Sequence, residues 1–186
     1  VVLKYNIKSI VDAPCGDLTW MKTLFPFFRE HDVSYTGVDI VESEIRKHKQ
    51  LFPEHTFLHL DMALQVIPKA DLIFSRQALQ HMNAEDNLRT LNNWVSSGST
   101  FILQTTYDTS RHGNLNSVGG GTNSLINLQT KPYNFPTPIE HFEEQRQSSF
   151  TEYLALGRIA DLFPEIKKTS RGVSGIWTEK ESQDKE

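Results

Sequence analysis

Three aspartates close three short apolar runs: Asp12 ends "SIVD", Asp39 ends "SYTGVD" and Asp61 ends "FLHLD". Such runs, rich in β-branched and aromatic residues, read as buried strands. An ionised carboxylate only accepts hydrogen bonds, so its natural partners are hydroxyl, amino and ammonium groups. Any one of these acids has an ordinary explanation as a helix N-cap or a turn residue. Three at equivalent positions ask for more, because ligands of an open α/β sheet lie beyond the carboxyl ends of its strands. The first acid opens a crowded turn, "DAPCGDLTWM", which packs Pro14, Cys15, Gly16, Asp17 and Trp20 together. Gly16 lacks a Cβ and lets backbone approach a ligand closely. A second group follows the run "ADLIFS": Arg76, Gln77 and His81 in "SRQALQHM". His81 titrates nearest neutral pH and is the candidate general base; the bland reading is a histidine that bonds only locally. Tyr107 closes a further run, "STFILQTTY".

These residues need a scaffold, and the hydrophobic pattern supplies one. Ile7 to Asp12, Ser34 to Val41, "TFLHLDM", Ala70 to Ser75 and "STFILQTTY" read as five strands. Between them, "LTWMKTLFPFF" reads as a helix interrupted near Pro26, and "ESEIRKHKQLF" places Ile45, Lys49 and Phe52 on one side. "NAEDNLRTLNNWV" opens with the N-cap candidate Asn83 and spaces Leu88, Leu91 and Val95 as a helix does. This alternation predicts an α/β fold, a parallel sheet with helices on both faces. After the fifth strand the rhythm stops. The stretch at about 108–142 holds a triple glycine, several prolines and the apolar residues Leu125, Ile126, Leu128, Tyr133 and Phe135. A long aperiodic stretch of that kind is commonly functional. It reads as a substrate loop or lid, or else as a cover for one sheet edge. "FTEYLALGRIADLF" reads as a last helix, and "IKKTSRG" with "SGIWTEK" as a final hairpin.

The bulk numbers narrow the partners. The chain has 186 residues, with no internal repeat or boundary, and reads as one domain over 1–186. Net charge is -4 and no dense basic run occurs, so a nucleic-acid partner is not expected. No apolar run is long enough to span a bilayer. The single cysteine, Cys15, rules out an internal disulfide. With no signal-peptide pattern, the expectation is a reducing, cytoplasmic setting and a monomer.

The order of these motifs resembles the class I S-adenosylmethionine-dependent methyltransferases. "VDAPCG" resembles the acidic residue and glycine-rich loop of that family's first motif, with Pro14 at the first glycine position. "TGVDIV", "FLHLDM" and "ADLIFSRQALQHM" resemble its second, third and fourth, so the likeness runs from about Ser9 to Tyr107. "DxPCGDxxWM", with "INLQTKPYNFPTP" after strand five, resembles a subgroup of these proteins. The resemblance implies a seven-stranded Rossmann-like sheet of order 3-2-1-4-5-7-6, with strand 7 antiparallel. It implies S-adenosylmethionine as cofactor, S-adenosylhomocysteine as product and a small-molecule acceptor with an oxygen or nitrogen nucleophile.

It also implies roles. Asp39 would accept the ribose hydroxyls. Asp61 would take the adenine amino group, with Met62 and Ile40 on the ring faces. Asp12 or Asp17 would face the ammonium of the methionine end. Pro14, Cys15 and Gly16 would form the loop, Cys15 being read chiefly as a packing residue. Trp20 would either wall the methionine pocket or sit in the core. Arg76 would line the cofactor or hold an anionic group of the substrate, and His81, Arg76 and Tyr107 form the catalytic set. No metal site is expected, since the acids sit on separate strands. Two rivals remain: a non-catalytic cofactor-binding module, and an NAD-dependent oxidoreductase, which the missing G-x-G-x-x-G disfavours.

Overall fold

A computed structural model describes residues 1–108, 125–147 and 150–162 of the chain. Seven strands form one sheet: β1 Ser9–Asp12, β2 Ser34–Asp39, β3 Thr56–His59, β4 Leu72–Ser75, β5 Phe101–Asp108, β6 Glu140–Arg146 and β7 Thr151–Arg158. Their spatial order is β3-β2-β1-β4-β5-β7-β6. The first five run parallel, while β7 lies antiparallel between β5 and β6. This is the order that the resemblance implies. Because β1 to β5 run the same way, their carboxyl ends, and the acids on them, meet along one rim.

Side chains alternate between the two faces of a strand, so each strand feeds two cores. One face carries Val11, Val38, Ile73 and Ile102 and is covered by α3, Ala84–Ser96, through Leu91 and Trp94, and by α4, Ile159–Leu162. The other carries Ile10, Tyr35, Leu72, Phe74 and Leu103. It is covered by α1, Phe25–Glu30, and α2, Glu42–Leu51, through Phe25, Phe28 and Ile45. Asn83 caps α3 as predicted, accepting from the Asp86 N–H at 2.9 Å. Gly37 of β2 is required by close packing: a Cβ there would stand 2.8 Å from the Phe57 ring and 3.0 Å from the Cys15 sulfur.

Three local expectations change. The stretch "LTWMKTLFPFF" is a 3-10 turn, Met21–Leu24, continued by α1. Pro26 sits in the first turn of α1, where its missing N–H breaks no helical bond, so it starts the helix rather than interrupting it. "FTEYLALGRIADLF" is not a helix. Thr151–Arg158 pair with β5 and β6 on both sides, and only Ile159–Leu162 are helical. Its good helix formers are overridden by a place between two strands, where a period of two puts Leu154 and Leu156 on the α1 face. The antiparallel edge is therefore built from 140–158, and β6 begins inside the expected loop, at Glu140. The hairpin expected from "IKKTSRG" and "SGIWTEK" lies outside the described residues.

Residues 125–139 pack against the α3 face. The Leu128 N–H donates to the Thr106 hydroxyl at 3.1 Å, and the Tyr107 N–H to the Ile126 carbonyl at 3.0 Å. Tyr133 and Phe135 are only 5% and 8% exposed and belong to the core under α3. The Asn87 amide donates to the Tyr133 hydroxyl at 3.0 Å, inside that core. Their burial favours a covering role over a lid role, with α3 rather than a sheet edge as the partner. Residues 109–124, the rest of the expected lid, lie outside the described residues.

Candidate active site

The turn after β1 is stitched to its neighbours bond by bond. The Ala13 N–H donates to the Phe74 carbonyl and the Cys15 N–H to the Val38 carbonyl, each at 2.9 Å. The chain thus extends the pairing with β4 and β2 for a few residues beyond Asp12. Gly16 follows with φ +56, a left-handed conformation suited to glycine. Its N–H donates to Asp39 Oδ2 at 2.9 Å, and its carbonyl lies 2.8 Å from His48 Nε2, held by the tautomer that protonates that nitrogen. A Cβ on Gly16 would meet no protein atom within 4 Å. The loop is therefore fixed from below and open above.

Asp39 is the hub of this arrangement. Its second oxygen accepts from the Val41 N–H at 2.9 Å, so one carboxylate orders both the β1 loop and the entry to α2. Each oxygen keeps a further lone pair. Beside it lies a cleft of about 480 Å³, lined by Pro14, Asp39, Ile40, Asp61, Met62 and His81 among others. Ile40 is 60% exposed and Leu64 69%, two aliphatic side chains turned to solvent within one cleft. Asp61 stands two residues past the end of β3, and its carboxylate accepts from the Ala63 N–H at 2.8 Å.

Asp12 occupies a different environment. It is buried and accepts the Tyr35 hydroxyl at 2.7 Å. Burial pushes its carboxyl up to about 8, against the lowering effect of the Tyr35 hydrogen bond and with a further push from the Asp39 charge. Asp12 is thus a neutral acid under the loop over much of the accessible pH range. Asp17 is exposed and folds back on its own turn, accepting from the Thr19 N–H and hydroxyl at 2.9 and 2.6 Å. Those hydrogen bonds hold it below the usual carboxylate range. Burial pushes the Cys15 thiol up, so it is a packing residue and no nucleophile.

A second group gathers beyond the ends of β4 and β5. Arg76 Nε donates to Glu144 at 2.8 Å, and the guanidinium lies 5.6 Å from the Trp20 ring centroid. Trp20 is 40% exposed and meets Phe74 edge-on at 5.4 Å, so it is a wall rather than a core residue. Gln77, at φ +55, donates from its backbone to the Thr105 hydroxyl at 2.9 Å and from its side chain to Glu152. The Gln77 side-chain Oε1 accepts from the Gln80 side chain and, at 3.4 Å, from the Tyr107 hydroxyl. Burial raises the Glu152 carboxyl, and the nearby Glu144 charge adds to it. Burial also pushes Tyr107 up to about 12, with the Glu152 charge contributing.

The structure therefore separates the expected residues into two places. Pro14, Asp39, Ile40, Asp61, Met62 and His81 share the cleft. Trp20 and Arg76 line a separate apolar groove on the α1 face, and Tyr107 lines neither space. Asp12, Cys15, Gly16 and Asp17 form or support the loop. His81 is thus not assembled with Arg76 and Tyr107; Gln77 lines the cleft with His81 and accepts from the Tyr107 hydroxyl. Three residues escaped the sequence reading: His48, Glu144 and Glu152. Glu152 was hidden because its segment reads as a helix, and Glu144 because it sits at a β-bulge in β6. The exposed-looking "RKHKQ" hides that His48 faces the core.

Comparison with known proteins bears on the fold. No protein-family model matches the chain, and no curated protein matches it. Solved structures do. It is the Rossmann-like methyltransferase fold. Human N-acetylserotonin methyltransferase, in complex with S-adenosylmethionine, superposes with a TM-score of 0.57 at 17% identity, over 82% of this chain and 48% of that one. The chain thus spans about half the length of the human enzyme. The 1,6-didemethyltoxoflavin-N1-methyltransferase of Burkholderia thailandensis, with 1,6-didemethyltoxoflavin and S-adenosylhomocysteine bound, gives 0.59 at 16% identity, over 81% and 70%. A TehB-like methyltransferase from Corynebacterium glutamicum gives 0.56 at 18%, over 80% and 78%.

Proposed function

We propose that this chain binds S-adenosylmethionine in the 480 Å³ cleft and transfers its methyl group to a small molecule bearing an oxygen or nitrogen nucleophile. The observation that carries this is the pairing of a strand-end carboxylate, Asp39, with exposed aliphatic side chains in the same cleft. A ligand with hydroxyls at one point and a flat ring beside it matches that pattern. Asp39 uses its remaining lone pairs for the ribose hydroxyls. Ile40 and Met62 take the faces of the adenine, and Asp61 its amino group. The open space over Gly16 admits the methionine end, where Asp17, not the buried Asp12, is the acid a ligand can reach. The "DAPCGDLTWM" segment supports a place in the subgroup that carries Pro at the first glycine position. Methyltransferase neighbours with S-adenosylmethionine or S-adenosylhomocysteine bound lend further support.

When bound, the cofactor supplies a methyl group already activated by a positively charged sulfur. The chain's own residues have to align the acceptor and exclude water, which is worth up to about 7–11 kcal/mol when geometry is ideal. A base is needed only where the nucleophile keeps its proton until attack.

The test is calorimetric titration with S-adenosylhomocysteine and with NAD, followed by turnover on a panel of small hydroxyl and amine compounds. We expect S-adenosylhomocysteine to bind and NAD not to. Ile40→Glu, at an exposed position, should leave stability unchanged and weaken S-adenosylhomocysteine binding by about tenfold or more. Unchanged affinity in that variant would displace the cofactor from this cleft. Binding without any turnover would favour the non-catalytic module.

A further inference from the structure

Gln77 opens the segment that walls one side of the cleft, to which Ala78, His81 and Met82 also contribute. It holds φ +55, a left-handed conformation that a non-glycine residue keeps only where its surroundings impose it. Those surroundings are specific. The Gln77 N–H donates to the buried Thr105 hydroxyl of β5 at 2.9 Å. Its side-chain amide is held at both ends: Nε2 donates to Glu152 of β7, and Oε1 accepts from Gln80 and from the Tyr107 hydroxyl. Gln80 sits in the 3-10 turn Leu79–His81, so the turn that carries His81 hangs on the Gln77 amide.

Glu152 is buried and lines neither the cleft nor the apolar groove. The groups around it are the Glu144 carboxyl of β6, in hydrogen-bond contact with it, the Arg76 guanidinium and the Tyr107 hydroxyl. Arg76 is itself bonded to Glu144 at 2.8 Å. Two carboxyl groups in contact, with one guanidinium beside them, retain a proton between them because like charges repel. With that proton on Glu152 every donor has an acceptor. Arg76 and Glu152 both donate to Glu144, Gln77 donates to Glu152, and Gln80 and Tyr107 donate to Gln77. One directed chain of hydrogen bonds thus runs from Arg76 to the turn of His81. Removing the proton sets two carboxylates against each other at the centre of that chain.

We infer that Glu152 is a positioning residue for the cofactor cleft: as the proton-bearing member of the Glu144–Glu152 pair it locks Gln77, and through Gln77 and Gln80 it fixes the wall that carries His81. Loss of that proton as pH rises loosens the wall. Burial raises the Glu152 carboxyl above its ordinary value of 4.5, with Glu144 adding and Arg76 opposing, so the lock persists to higher pH than an ordinary glutamate would allow. The cleft's ligand is taken from the S-adenosylmethionine reading, whereas the lock is a property of the free protein.

Two measurements over pH 5 to 8.5 test it: calorimetric titration with S-adenosylhomocysteine, and the side-chain amide resonances of Gln77, assigned by their loss in Gln77→Ala. In the parent, affinity should fall about threefold or more as the locked fraction falls, and the Gln77 resonances should shift over the same range. Glu152→Ala leaves the Gln77 amide without its acceptor and should weaken binding about tenfold already at pH 5. Glu152→Gln copies the protonated acid, since its carbonyl accepts from Gln77 and its amide donates to Glu144. It should recover most of the affinity lost in Glu152→Ala and flatten the pH dependence that Glu152 causes. Asp12 and His81 are common to both proteins, so the difference between the parent and Glu152→Gln profiles isolates Glu152. Parallel profiles in those two proteins, or full affinity in Glu152→Ala, would overturn the inference. So would Gln77 resonances that ignore both pH and Glu152→Gln. Should Glu152→Ala not fold, the Glu152→Gln profiles and resonances decide alone. If S-adenosylhomocysteine fails to bind the parent but the Gln77 resonances shift with pH and stop shifting in Glu152→Gln, the cofactor reading falls and the lock stands.

Discussion

Replacing Asp12 with Asn should make the protein more stable at pH 8 and change little at pH 4. Asp12 is buried, and its one described hydrogen-bond partner is the Tyr35 hydroxyl at 2.7 Å. Its carboxyl is held at about 8 in the fold, against an ordinary value of 3.8. Between those values the native state keeps a proton that the unfolded chain has released. Stability therefore falls as pH rises through this window, by at most about 1.4 kcal/mol per pH unit. Asn has the same shape, carries no charge, and its Oδ1 can accept the Tyr35 hydroxyl. It escapes the pH-dependent cost and keeps the hydrogen bond. Buried sites relax around a charge, so we expect a gain of about 1–3 kcal/mol at pH 8, well under the ceiling. Urea unfolding of both proteins at pH 4, 6 and 8 measures it. A difference between them that does not grow with pH would refute the assignment of a neutral Asp12. The same variant should bind S-adenosylhomocysteine within about threefold of the parent. A large loss of affinity alongside raised stability would mean that an ionised Asp12 serves the ligand after all.

Two further outcomes follow from the same geometry. His48→Ala removes the donor 2.8 Å from the Gly16 carbonyl, and an unpaired carbonyl costs about 1–3 kcal/mol; S-adenosylhomocysteine affinity should fall about tenfold by calorimetry, with partial recovery in His48→Gln. Tyr133→Phe removes only the hydrogen bond from Asn87, so it should lower unfolding stability by about 1 kcal/mol and leave activity per folded molecule unchanged; a fall in activity at unchanged stability would restore the lid role.

Much of the scaffold is legible in local sequence. Five short apolar runs alternating with helical spacing are enough to place β1 to β5 in order, and Asn83 is enough to start α3. Asp39, Ile40, Asp61 and Met62 could be singled out because the carboxyl ends of parallel strands meet whatever the details of packing. The crowded "DAPCG" turn reads as a candidate binding loop because its residue types are poor choices for a plain turn, and the fold leaves open space over its Gly16.

Other features depend on which segments meet. "TEYLALGR" has the composition of a helix, and only its position between β5 and β6 makes it a strand. That same pairing brings Glu152 beside Gln77, residues 75 positions apart, and no local pattern announces such a contact. Asp12 and Asp39 look alike in sequence, each an acid at a strand end. The fold gives Asp39 two backbone N–H donors and an open cleft, and gives Asp12 a tyrosine hydroxyl and an apolar surround. Tyr133 and Phe135 read equally well as a lid or a cover until α3 supplies Asn87 and a core for them. Periodicity and residue type act over a few neighbouring positions, so the sequence by itself determines β1 to β5, the helices between them and their order. Charge state, burial and the sharing of one site depend on solvent exclusion by residues distant in the chain, and those only the packed fold brings together.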